Sequence, residues 1–161
     1  GIWVLSLKGT DPGFEYLKAL KPSVRVVSSS WSSSYSLFQN DQVPMVFSFF
    51  TSTIFHYVAE NDSRYRAVYF DDPHIYSVEY MGVPKSCSNC KLAQEFLKHV
   101  LSRESQKDIM EKNYMLPVVD GVAAGTPFDF PQTIRLINPK KYDDLLENKA
   151  NLLQRWDELQ L

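Results

Sequence analysis

Glycine is scarce in this chain, six in 161 residues, and none sits in a glycine-rich phosphate loop. No Gly-x-Ser-x-Gly occurs, which removes the nucleophile elbow. Only two cysteines and three histidines are present, Cys87, Cys90, His56, His74 and His99, too few and too scattered to close a zinc site. A concentrated basic run is missing and the formal net charge is −2, which excludes a nucleic-acid footprint built on phosphate contacts. No apolar stretch reaches the length needed to cross a bilayer. The adjacent carboxylates Asp71 and Asp72 are explained by a solvated turn more cheaply than by acid–base chemistry. Catalysis finds no positive support in these residues.

The opening GIWVLSLKGTD has no Met, and its apolar part is shorter than the core of a secretory signal. It reads as the end of a helix already under way, so the chain is expected to begin inside a longer gene product. What remains is ordinary for a folded body: 44% hydrophobic and 22% charged residues, enough for one domain with a core or for two small lobes. Aromatics are plentiful, with ten Phe, nine Tyr and three Trp. Most aromatics fill cores, so their number alone only hints at a stacking site.

Along the chain, apolar periodicity and turn residues predict helices alternating with strands. A helix is expected over 11–22, opening at Asp11 with Phe14, Leu17 and Leu20 on one side. Strands are expected over 23–28 and 43–50, with two more in YRAVYF and IYSVEYMGV around the turn DDPH. Helices are expected from Tyr35 to about Asn40, over 51–62, 91–102 and 104–113, and from about Tyr142 onward. Residues 120–141 read as loop. This alternation implies an α/β sheet with ligands at the strand C-termini. The serine run SSSWSSSYS, residues 28–36, then falls at a strand-to-helix turn, where hydroxyls cap the helix and backbone N–H groups face an anion. It answers to a site and not to a flexible tether. The hydroxyls at 51–53 mark a second such turn.

Two sets of residues stand out. Cys87 and Cys90, in CSNC, match a local disulfide or a dithiol redox pair just before a helix N-terminus; a free reduced pair is the bland alternative. Trp31, Tyr35, Phe49, Phe50, Phe55 and Tyr114 cluster at element ends. Trp31 is the most telling, because a Trp among hydroxyls at a helix start is poorly placed for core packing. Converging rings of this kind suit a flat, cationic or heteroaromatic ligand with a polar or anionic tail, each ring worth about 0.5–2 kcal/mol.

The run SSWSSSYSLF (29–38), followed by MVFSFFTSTIFHYV (45–58), resembles the periplasmic thiamine-binding proteins of ABC transporters, a branch of the type II periplasmic binding proteins. YFDDPHIYSVEYMG (69–82), LAQEFLKHVLSRESQKDIMEKNYMLPV (92–118) and the closing helix with Trp156 fit the same family in order, so the resemblance covers the chain from about Asp11 onward. It implies an α/β fold of two lobes, each a mixed sheet flanked by helices, here incomplete. Residues 1–75 would belong to the second lobe, and 76–161 to the crossover and the returning part of the first. An upstream half of the same protein would be missing.

The resemblance further implies capture without turnover of thiamine or a phosphorylated thiamine in an aromatic-lined interlobe cleft. Delivery would be to an ABC permease, in a periplasmic or otherwise exported setting, with no cofactor. Carried over by position, the family's cleft aromatics fall on Trp31, Phe49, Phe55 and Tyr114, three of them changed in type, with Ser32 and Tyr35 beside them in the serine turn. Export would favour an oxidised Cys87–Cys90 pair. Two alternatives stay open: a type II binding protein for an organophosphate or a metal ion, with iron disfavoured by the lack of paired tyrosines, and a thiol oxidoreductase using Cys87 and Cys90.

Overall fold

The computed structural model describes residues 1–129 and 133–159. Among the described residues, eight α-helices follow one another: α1 Ile2–Lys8, α2 Thr10–Leu20, α3 Trp31–Gln39, α4 Thr51–Ala59, α5 Cys90–Val100, α6 Arg103–Asn113, α7 Lys140–Glu147 and α8 Lys149–Glu158. A short 3-10 turn, Lys21–Ser23, closes α2. The chain divides into two compact units. The first comprises Gly1–Ser48, Tyr69–Tyr76 and Thr133–Leu161; the second comprises Phe49–Val68 and Ser77–Gln132.

The first unit is built on α1, α2, α7 and α8. Leu5, Phe14, Leu17 and Leu145 form its buried core, with Val4, Leu152, Trp156 and Leu159 packed around them. Two glycines make the α1–α2 corner. Gly9 takes φ 84° between the helices, a conformation that costs other residues. Gly13 lets the helices approach, since a Cβ there would stand 2.7 Å from a Leu5 side-chain carbon. Arg155 of α8 lies 4.2 Å over the Phe14 ring and donates to Asp11 Oδ1 at 2.7 Å, fastening the last helix to the second.

The second unit has its core in Ile54 of α4, Met110 of α6 and Phe128, rimmed by Phe50, Tyr114, Val122 and Ala123. Helices α5 and α6 are joined at Leu101 and Ser102. The Ser102 hydroxyl accepts from the Ser105 N–H and caps α6. Buried Gln106 completes the joint: its amide donates to the Val100 carbonyl at 2.9 Å, and its Oε1 accepts from the Val118 N–H at 2.8 Å. Replacing Gln106 by Leu strands both backbone groups, and urea unfolding of Gln106→Leu is expected to show a loss of about 1–3 kcal/mol. Wild-type stability in that variant would mean that water serves these groups as well as the side chain does.

The helices fall where periodicity places them, with two differences. Helix α3 starts at Trp31, four residues earlier than expected, because Ser30 supplies the cap. The closing helix is two helices, broken at Asn148. The expected strands are corrected more deeply. Segments 24–28, 45–49, 65–70 and 75–84 carry no regular secondary structure, and no strand forms among the described residues. A parallel bridge joins His74 and Leu136. Ladder bonds and same-face neighbours hold a strand in place, and these segments find neither within the described chain. Their apolar side chains, Val26, Val27, Met45, Phe47, Val68, Phe70, Tyr80 and Met81, stay exposed accordingly. The mixed sheets implied by the family resemblance are therefore not formed by the described residues. No described helix is long and apolar enough to cross a membrane.

Candidate functional site

The serine turn is a helix start. Ser30 is extended, at φ −146° and ψ 156°, and its hydroxyl accepts from the Ser33 N–H at 3.1 Å. Its carbonyl accepts from the Ser34 N–H. Two donors of the first turn are thus satisfied, as an N-cap serine does. Trp31 is the first helical residue and Ser32, exposed, the second. Tyr35, one turn on, is buried. The i, i+4 spacing puts both rings on one face, and they stack at 4.8 Å between centroids with 23° between planes. Trp31 remains 49% exposed. Its indole N–H donates to the Ser48 hydroxyl at 2.9 Å.

The second hydroxyl-rich turn is made differently. The residue before α4 is Phe50, with no side-chain cap. Phe49 O accepts from the Ser52 N–H, and Phe50 O accepts from both the N–H and the hydroxyl of Thr53. The hydroxyl of Thr53 therefore folds back on the backbone. Phe49 is exposed, while Phe55 lies edge-on to Tyr114 at 5.2 Å and 80°. Tyr114 ends α6 in the left-handed region, at φ 54° and ψ 36°, a conformation that costs a non-glycine residue energy and needs surrounding support. The support is packing: the Tyr114 ring also meets Phe128, 5.8 Å away.

Behind Phe55, fully buried His56 stacks on Tyr65 at 3.7 Å and pairs through Nδ1 with Glu60. The Arg64 guanidinium and backbone N–H donate to Asp62 and hold its carboxyl well below the usual range, at about 2. These contacts anchor the end of α4. His74 Nε2 accepts the Phe70 N–H at 3.2 Å, and its buried Nδ1 has no hydrogen-bond partner among the described residues. His99 is exposed and faces the Ser105 hydroxyl at 3.3 Å.

Cys87 and Cys90 form a disulfide immediately at the start of α5. Asn89 between them accepts the Leu92 N–H and caps the helix. Among the described residues no group of His, Cys, Asp and Glu could hold a metal ion.

The structure thus brings together Trp31 with Tyr35 in the first unit and Phe55 with Tyr114 in the second, with Ser32 and Phe49 exposed nearby in sequence. A cavity of about 440 Å³ lies elsewhere in the first unit, lined by Tyr69, Phe70, Asp71, Thr133, Ile134 and Arg135. The Arg135 guanidinium is already turned onto the Asp71 carbonyl, and none of the aromatic candidates lines this cavity. The Trp31–Tyr35 pair instead joins a half-exposed indole to the Ser48 hydroxyl. Sequence reasoning missed Ser48. Its only signal was a hydroxyl among apolar residues in VFSFF.

Comparison with known proteins agrees with the family resemblance. The thiamine-binding periplasmic protein of Brucella melitensis biotype 1 is 31% identical over 116 residues, 72% of this chain and 34% of that protein. The proteins of the same name from Escherichia coli K12 and Haemophilus influenzae are 30% identical over 119 residues and 29% over 120, each match covering 74% of this chain and 36% of the relative. The chain therefore matches about a third of the length of these relatives. No solved structure matches it. A profile of bacterial extracellular solute-binding proteins matches residues 6–148, nearly the whole of what is present, and the chain belongs to that family.

Proposed function

We propose that this chain captures thiamine or a phosphorylated thiamine, without chemical turnover, for delivery to an ABC permease in a periplasmic setting. The observation that carries the reading is the half-exposed Trp31 stacked on buried Tyr35 at a serine-capped helix start, in a chain 31% identical to a thiamine-binding periplasmic protein. Thiamine offers a flat aminopyrimidine and a cationic thiazolium, and an indole face attracts both, by stacking and by cation–π interaction. Ser32, the second residue of α3, is exposed next to Trp31 in sequence, and the helix start favours a phosphate tail. The Cys87–Cys90 disulfide agrees with an oxidising compartment.

The test is titration of thiamine and its mono- and diphosphate into the 161-residue chain, monitored by tryptophan fluorescence and calorimetry. Saturable one-to-one binding of at least one of them is expected, and its absence for all three overturns the reading. The double variant Cys87→Ser, Cys90→Ser is expected to keep the wild-type affinity within about twofold, because no ring candidate touches the bridge and surface changes away from a site have small effects. An oxidoreductase using this pair would instead show disulfide exchange with a dithiol, and the double variant would lose it.

A further inference from the structure

An exposed tryptophan at the start of a helix has two rotatable bonds and no reason to hold one orientation. Trp31 nevertheless has its indole fixed at two places. One ring face rests on Tyr35, and the N–H on the ring edge donates to Ser48 Oγ, 17 residues away in sequence. The indole N–H is donor only, so it requires an acceptor in the ring plane. Ser48 meets that requirement at 2.9 Å. With one face taken by Tyr35 and the edge tied to Ser48, the remaining π-face is presented in one direction.

We infer that Ser48 is a positioning residue for ligand capture: its hydroxyl sets the orientation of the Trp31 indole before any ligand arrives. This rests on the proposal that Trp31 stacks on thiamine, and it adds the group that decides how that ring stands. The benefit is preorganisation. A ring already in its bound orientation loses less freedom on binding, and the gain appears in the dissociation constant with no contact between Ser48 and ligand. A residue that keeps the hydroxyl, such as Thr, preserves the effect, whereas Ala removes it.

The experiment uses the full 161-residue chain labelled with nitrogen-15. Three tryptophans give three indole N–H resonances, and Trp31→Phe assigns the one wanted. In Ser48→Ala the Trp31 indole proton is expected to shift upfield and to exchange faster with solvent, and the thiamine dissociation constant is expected to rise about 3- to 10-fold, the range for one lost neutral hydrogen bond. Ser48→Thr should restore both.

An unchanged Trp31 indole resonance in Ser48→Ala overturns the inference, as does a changed resonance with an unchanged dissociation constant. Failure of the thiamine reading looks different. The wild-type chain would then bind no thiamine although the indole resonance still responds to Ser48→Ala, and the role of Ser48 in capture falls with it while the Ser48–Trp31 bond stands.

Discussion

Trp31→Ala is expected to weaken thiamine binding about 5- to 150-fold, corresponding to about 1–3 kcal/mol. The expectation rests on the place of the ring in the free chain. Its exposed surface contributes nothing to the core, so its removal should cost the fold little. Its open face is the largest π-surface at the start of α3, and truncation to a methyl group removes both stacking and the attraction of a cation to the ring. Trp31→Phe keeps a ring but no N–H, and it should fall between wild type and Ala. Calorimetric titration of the three proteins, with circular dichroism to confirm that α3 persists, checks the order. Equal affinities in all three would remove Trp31 from the site.

Met110→Ala is expected to lower the stability of the chain by about 2–5 kcal/mol. Met110 is only 1% exposed and stands at the centre of the second unit's core, between Ile54 and Phe128. Truncation removes the transfer energy of the side chain and leaves a cavity that Phe50 and Tyr114, at the rim, fill only by moving. The measurement is urea unfolding, in which the midpoint should fall while the denaturant slope stays the same. Met110→Leu, which nearly conserves volume, should cost less than about 1.5 kcal/mol. A loss for Met110→Ala below that for Met110→Leu would show that volume at this position is not what holds the core. Because Tyr114 rims the same cluster, the Ala variant should also loosen the Phe55–Tyr114 contact.

Helices were legible because their causes are local. Asn89 and Ser102 each accept an N–H from the first turn of the helix they precede, whereas the cap at Ser30 was hidden in a run of serines and α3 was expected to begin four residues late. The break at Asn148 was not legible. Leu145, Leu146, Leu152, Leu153 and Trp156 keep a helical rhythm across it, and the backbone turn at φ −108° and ψ 23° leaves no mark on that rhythm. The strands failed for a different reason. VRVVS and VPMVFSFF are rich in the β-branched and aromatic residues that strands favour, but pairing depends on a neighbour elsewhere in the chain, which a local pattern does not contain.

The aromatic candidates were legible as residue types only: Tyr35 and Phe55 lie inside α3 and α4 and not at their ends, while the stacking of Trp31 on Tyr35 agrees with their i, i+4 spacing. The bond from Trp31 to Ser48 spans 17 residues and needed the fold to be seen. Likewise His56 gave no hint in sequence that it is fully enclosed against Tyr65.

The left-handed turn at Tyr114 makes the length of α6 a specification. A residue that ends a helix by reversing its backbone points its side chain according to how many residues precede it. Each residue added to a helix rotates the downstream chain by about 100° and advances it about 1.5 Å. One insertion or deletion between Arg103 and Asn113 would therefore swing the Tyr114 ring off Phe55 and Phe128, although every side chain involved were kept. Point substitutions along the outer face of α6 should be tolerated freely, and changes of register should not. Variation among natural sequences is accordingly expected to alter the composition of this helix far more readily than its count.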